Sequence, residues 1–177
     1  MSALVQSLVH AFAPWQHLYG DSKAVSAAVT TVHLVAMLFG GGYAVAADRA
    51  TLRARSGDLG ERRRLLGELH ALHRPVVVAL VVLFFSGAAM AMADVETFAK
   101  SPVFIAKLGV VLLLLVNGLL LLRAERSLER LGQPTPADEA AVQRHAILWR
   151  HLRTTAWASA ALWTAAVVTG VLLTNAA

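Results

Sequence analysis

The sequence predicts an all-α integral membrane protein, a four-helix bundle of up-down-up-down topology preceded by a short amphipathic helix. Of its 177 residues, 57% are hydrophobic and only 15% are charged, a composition far from that of a soluble domain. The apolar residues are collected into four runs of about 20 residues, the length that spans a hydrocarbon core roughly 30 Å thick. Only helices satisfy their own backbone polar groups in single segments of this kind, so a helical bundle is expected.

The four predicted spans form one transmembrane domain that takes in the whole chain, residues 1–177. They cover about residues 25–47, 75–93, 102–122 and 154–174. The preceding segment, residues 1–24, carries apolar side chains at helical spacing and then two aromatic residues: Leu4, Val5, Leu8, Val9, Phe12, Trp15 and Tyr19. We expect an interfacial helix on the outer membrane surface, anchored by Trp15 and Tyr19.

Basic residues are concentrated in two loops. Thirteen of the 16 lysines and arginines lie between spans one and two or between spans three and four. The positive-inside rule places both arginine-rich loops in the cytoplasm and both termini outside, as in a protein of the bacterial inner membrane. The basic charge is thus explained by topology and not by nucleic-acid binding. Acidic residues in these loops, including Asp48 and Glu125, are expected on solvated helix faces.

The chain contains no cysteine, which excludes disulfides, thiolate metal sites and cysteine nucleophiles. No glycine-rich phosphate loop, Ser-His-Asp arrangement, HExxH motif or nucleophile elbow is present. Redox chemistry would therefore require a bound cofactor, and hydrolase functions rank low.

His33 and Lys107 are the only ionisable side chains within the predicted spans, where a charge costs from about 3 to more than 10 kcal/mol. At about 1.5 Å per residue they lie roughly 12 and 8 Å below the outer ends of spans one and three. Because these spans are usually diagonal in such a bundle, the two side chains are expected to face each other at similar depth.

Three further residues are expected near this depth, Ser86 and Met90 in span two and Thr169 in span four. Together the five residues predict a cofactor site for haem iron or copper. Simpler roles remain open: His33 as a packing residue with a hydrogen bond, Lys107 as a side chain that extends to the headgroups, and Met90 as a core filler.

Other polar or small residues have structural interpretations. The run Gly40 to Gly42 favours close helix packing, and Asn117 favours an interhelical hydrogen bond. A second group of histidines at the cytoplasmic ends could bind a metal with Glu68 or Asp48 nearby, although solvated histidines beside arginines account for the pattern equally well. That group is His70, His73, His145 and His151.

Two short motifs resemble a known family. The first is His33-Leu34-Val35-Ala36 with Gly40-Gly41-Gly42 and Asp48-Arg49, and the second is the stretch from Ser101 to Leu108 with its aromatic residue shortly before Lys-Leu. Both are similar to the HemJ family of haem-binding protoporphyrinogen oxidases and, more loosely, to the CopD copper-resistance membrane domain. In HemJ proteins a first-span histidine and a third-span lysine are the functional pair, and the resemblance places these roles on His33 and Lys107.

The first hypothesis is therefore a b-type haem protein for electron transfer or porphyrinogen oxidation, with the haem between spans one and three near the outer face and His33 as an iron ligand. The second is a non-enzymatic subunit that docks onto a larger membrane complex. A third is copper handling through His33 and Met90. The expected partners are the lipid bilayer, a membrane redox partner or larger complex, and a second copy of the chain.

Overall fold

The computed structural model describes residues 3–54, 59–132, 134 and 138–176. Six helices follow one another in these segments: α1 (Ala3–Asp21), α2 (Lys23–Arg53), α3 (Leu59–Ala93), α4 (Val95–Lys100), α5 (Pro102–Leu131) and α6 (Glu139–Ala176). α2, α3, α5 and α6 correspond to the predicted spans and extend beyond them at the ends that carry the arginines. The all-helical bundle predicted from the sequence is confirmed.

Helix boundaries coincide with capping residues. The hydroxyl of Ser22 accepts a hydrogen bond from the Val25 amide at the start of α2, and Ser101 does the same for Phe104 at the start of α5. Gly132, at a φ of 63°, ends α5 in the left-handed region that glycine tolerates best. Each cap satisfies backbone groups that a helix terminus would otherwise leave unpaired.

Four helices are long and apolar enough to cross a membrane, and they include the predicted spans to within one residue. Their outward faces carry large apolar side chains, with Leu38 at 72%, Phe85 at 66% and Trp157 at 66% exposure. Apolar exposure on this scale requires lipid, because water-soluble monomers do not present such continuous apolar surface. The chain is a multi-pass membrane protein.

The bundle is built around α2 and α6. α2 packs along α3 and along α6, and α6 packs along α5. Within the described residues, α2 and α5 make at most marginal backbone contact, in agreement with the diagonal placement predicted for spans one and three. α3 and α5 likewise make at most marginal backbone contact in the described segments. The bundle is therefore packed more loosely between these two helices.

Two apolar clusters hold the long helices together. One cluster lies at the end of the bundle where α2 and α5 end and α3 and α6 begin. We call this end of the bundle the arginine-rich end. The cluster includes Leu69, Leu128, Trp149 and Leu152, so α3, α5 and α6 meet there with α2. The second cluster lies nearer mid-membrane and joins Ala44, Leu114 and Trp163. We call the opposite end of the bundle, where α2 begins, the His33 end.

Two glycines of the predicted packing run lie in helix contacts. A β-carbon added at Gly40 would lie 2.7 Å from Cβ of Ala79 on α3, and one added at Gly41 would lie 3.2 Å from the ring of Trp163 on α6. Gly42 has no neighbour within 4 Å of such an atom. The packing role predicted for this run therefore holds for Gly40 and Gly41, which bring α2 close to α3 and α6.

α1 is held against the His33 end of the bundle. It contacts α3, α2 and α4, and the indole of Trp15 donates a hydrogen bond of 2.8 Å to the Ala89 carbonyl on α3. Tyr19 packs against Trp15 with ring centroids 5.8 Å apart. The side chains of Leu4 and Val5, part of the predicted apolar face, lie outside the described residues. The two aromatic residues thus attach α1 to the bundle itself.

Candidate functional site

His33 is buried in the interface between α2 and α3, with 9% exposure. It shares one face of α2 with Ala36, Gly40, Ala44 and Asp48, which follow at intervals of three or four residues and are also buried. Its Nδ1 lies 2.9 Å from Oγ of Ser86 on α3. The sequence-predicted pair of His33 and Ser86 is therefore in direct contact.

The Ser86 hydroxyl also contacts carbonyl groups of its own helix. It lies 2.6 Å from the Val82 carbonyl, with Leu83 O a longer alternative at 3.3 Å. A hydroxyl has one proton, so when that proton is donated to Val82 the Ser86 oxygen can only accept from His33. This arrangement predicts a proton on Nδ1 of His33 and a lone pair on Nε2.

Gly87 lies beside the imidazole ring of His33 and, having no side chain, leaves room for it. A β-carbon at position 87 would lie 3.3 Å from Cε1 and 3.8 Å from Nδ1 of His33. The closer of these distances is tighter than ordinary van der Waals contact, so a larger residue would displace the imidazole. Ser86 and Gly87 together position it, one by a hydrogen bond and the other by its lack of a side chain.

Lys107 lies on the opposite pair of helices. Its side chain is half-buried, and Nζ would lie 3.4 Å from a β-carbon at Gly170 of α6. No carboxylate lies within ion-pair distance of it in the part of the chain that the structure describes. His33, by contrast, packs against Ser86 and Gly87 of α3.

The other two predicted site residues, Thr169 and Met90, have no contact with His33 or Lys107 among the hydrogen bonds of the described residues. Thr169 precedes Gly170 on α6, and its hydroxyl donates to its own helix at the Ala165 carbonyl, 2.8 Å away. Met90 is half-buried on α3, one turn beyond Ser86. The predicted set thus divides into one group on α2 and α3, with His33, and a second on α5 and α6, with Lys107.

The histidine group predicted at the arginine-rich end is not assembled among the described side chains. His73 lines a cavity, His145 is buried on α6 and His151 is exposed. The side chain of His70 lies outside the described residues. Among the residues that are described, no three or more histidine, aspartate or glutamate side chains are arranged to hold a metal.

Asn117 makes the interhelical hydrogen bond predicted for it. Its Nδ2 donates to the Thr155 carbonyl on α6 at 3.0 Å. The side chain also lines the same cavity as His73. This bond ties α5 to α6 midway along their contact.

Two buried carboxyl groups were not identified from the sequence. Asp48 is 3% exposed and Glu125 is 5% exposed, so the prediction of solvated helix faces is wrong for both. Their burial follows from helical spacing, because Asp48 continues the buried face of α2 and Glu125 lies beside buried Ala124 and Leu128 on α5. That spacing was visible in the sequence, but the neighbouring arginines suggested a solvated surface instead.

Comparison with protein-family models, with curated proteins and with solved structures gives no match.

Proposed function

We propose that this chain is a b-type haem protein of the membrane, with His33 as an axial ligand of the iron, serving electron transfer or porphyrinogen oxidation. The observation that supports this function is the hydrogen-bond chain from His33 to Ser86 and on to the Val82 carbonyl. With the proton of His33 on Nδ1, the lone pair of Nε2 would serve as the iron ligand.

The donor set of this site fits a haem iron. Histidines that bind metals commonly donate their second ring N–H to a neighbouring acceptor, which fixes the tautomer and the ring orientation. Ser86 supplies that acceptor here, and Gly87 leaves the space that the ring occupies. A bound haem would supply one-electron redox chemistry at its iron, with a potential tuned by the axial ligands and their hydrogen bonds.

Lys107 has two roles compatible with this proposal, as a second iron ligand or as the partner of a haem propionate. Either role would offset the unfavourable free energy of an amine placed inside hydrocarbon without a carboxylate partner. Lys107 lies on the α5 and α6 side of the bundle, near Gly170, whereas His33 lies between α2 and α3. A ligand held between the two helix pairs would be in reach of both residues.

The orientation that we propose places the arginine-rich end in the cytoplasm of a bacterial cell, with both termini and the His33 end outside. The absence of native cysteine allows a direct test by single-cysteine labelling. Gly20 and Gly67 are exposed at opposite ends of the bundle, and neither has a neighbour within 4 Å of an added β-carbon. In intact cells, an impermeant maleimide should label Gly20→Cys and leave Gly67→Cys unlabelled.

The haem proposal is tested by the absorption spectrum of the protein purified in detergent from haem-supplied cells. A Soret band is expected in the original chain, its loss in His33→Ala, and its retention in His151→Ala, a matched change at an exposed histidine. Ser86→Ala should weaken haem affinity by about 10 to 100-fold, the usual effect of removing such a supporting hydrogen bond. Folded protein without colour would refute the proposal, and copper without a Soret band would favour copper handling by His33 and Met90.

A further inference from the structure

A small, partly open cavity lies between the four long helices toward the arginine-rich end, well separated in sequence from His33 along α2. Its volume is about 70 Å³, enough for one or two water molecules at roughly 30 Å³ each. All four long helices contribute to its lining. Its polar lining residues are Asp48 and Thr51 on α2, His73 on α3, Asn117 and Glu125 on α5, and Ser159 on α6.

Asp48 has an unsatisfied oxygen at this cavity. The Ser159 hydroxyl is hydrogen-bonded to its carboxyl group, whereas Oδ2 is fully buried and has no hydrogen-bond partner in the described residues. A buried carboxylate without a compensating charge is strongly disfavoured, and such groups usually become neutral instead. The burial of Oδ2 without a partner therefore favours the neutral, protonated form of Asp48.

Nearby cations do not neutralise Asp48. Arg49 follows it in sequence but is exposed, and Arg153 on α6 directs its guanidinium to the Leu52 carbonyl at 3.2 Å. No lysine or arginine lies within ion-pair distance of Asp48 in the described segments. The titratable groups that share the cavity are Glu125 from α5 and His73 from α3, and α6 contributes no titratable lining residue.

Hydrogen-bond accounting shows that the cavity is rich in acceptors. The Thr51 hydroxyl donates to the Ala47 carbonyl at 3.0 Å, and the Asn117 amide donates to Thr155. Thr51 Oγ1 and Asn117 Oδ1 therefore offer only lone pairs, alongside the oxygens of Asp48, whereas the second N–H of Asn117 and the His73 ring are donors in the same lining. A proton on Asp48 would let its carboxyl group donate to one of these acceptors or to a water molecule in the cavity.

We propose that Asp48 is a proton-binding site: its carboxyl group holds a proton on Oδ2 and exchanges that proton with water in the cavity. The transfer is a simple acid dissociation, in which the O–H bond of Asp48 breaks and the proton passes to a cavity water, leaving the carboxylate. Ionisable side chains that face the interior of a membrane bundle commonly act in this way. The site is independent of the haem proposal, since it uses none of the residues assigned to haem.

The experiment is infrared spectroscopy of the purified full chain in lipid nanodiscs at neutral pH, which detects the carbonyl stretch of a protonated carboxyl group directly. We expect a band that moves on exchange into deuterated water, disappears in Asp48→Asn and persists in Asp21→Asn, a matched change at an exposed aspartate. Glu125→Gln tests whether the second buried carboxyl group contributes to the same band.

Ser159→Ala provides a second variant that leaves the carboxyl group in place. It removes the hydrogen bond to Asp48, so the band should shift to higher frequency without losing intensity. Absence of the band in the original chain would overturn the proposal, as would a band unchanged in both Asp48→Asn and Ser159→Ala. A band that disappears when sodium replaces choline in the buffer would also overturn it, because Asp48 would then bind a metal cation in place of the proton.

Discussion

Gly40 on α2 packs directly against Ala79 on α3: a β-carbon added at Gly40 would lie 2.7 Å from Cβ of Ala79. Real β-carbons do not approach this closely, so Gly40→Ala must push the two helices apart. Overpacking of this kind typically destabilises a protein by about 1–3 kcal/mol. Thermal unfolding of the detergent-solubilised chain should therefore show a lower midpoint for Gly40→Ala than for the original chain.

Gly42→Ala is the matched control, two residues along the same helix. No atom lies within 4 Å of its added β-carbon, and alanine is favoured over glycine in a helix interior by up to about 1 kcal/mol. We expect this variant to be as stable as the original chain or more so. Equal destabilisation by both substitutions would show that the contact with Ala79 does not determine the effect at Gly40.

Asn117 stabilises the pair α5 and α6 through its bond to the Thr155 carbonyl. Interhelical hydrogen bonds in membrane proteins contribute about 0.6 kcal/mol on average and up to about 1.7, so Asn117→Ala should lower stability by an amount in this range. Asn175→Ala removes an exposed bond within α6, to the Val171 carbonyl, and should have little effect. Chemical unfolding of both variants measures the difference, and equal stability of the two would argue against a stabilising role for the Asn117 bond.

Trp15 connects α1 to the bundle through the Ala89 carbonyl. Trp15→Phe keeps the aromatic packing but removes the indole N–H, so α1 should open more often while the four long helices remain folded. Amide hydrogen exchange should then be faster in α1 and unchanged in α5. Trp157→Phe, at a residue 66% exposed, should leave α1 protected, and unchanged protection in Trp15→Phe would show that other contacts hold the helix.

The sequence was sufficient to predict the class of the fold and its four spans, because the length of an apolar run is set by the thickness of the bilayer. It also identified His33, Ser86 and Asn117 as polar residues within spans, and the structure places each in a defined interhelical hydrogen bond. These predictions succeed because a polar group in hydrocarbon has few alternatives to a bond with a neighbouring helix.

The burial of two carboxyl groups was not predicted from the sequence. Asp48 and Glu125 lie at the ends of spans among arginines, where charge density favours a solvated face. Helical spacing from Ala44 to Asp48, however, continues the buried stripe of α2 into the arginine-rich end. The buried interior of the bundle extends beyond the hydrocarbon because all four helices pack together there, in the cluster around Leu128 and Leu152. The pattern of one helix alone does not specify the length of this extension.

The tautomer of His33 gives a prediction that requires no cofactor. Nitrogen NMR of labelled histidine should show a proton on Nδ1 of His33 and none on Nε2, because the single hydroxyl proton of Ser86 is directed to Val82. Ser86→Ala removes the acceptor, so the imidazole should lose this fixed preference, whereas Ser127→Ala, an exposed serine bonded to its own helix at Arg123, should not alter it. A proton found on Nε2 in the original chain would mean that Ser86 donates to the ring, and would remove the free donor atom on which iron binding by His33 depends.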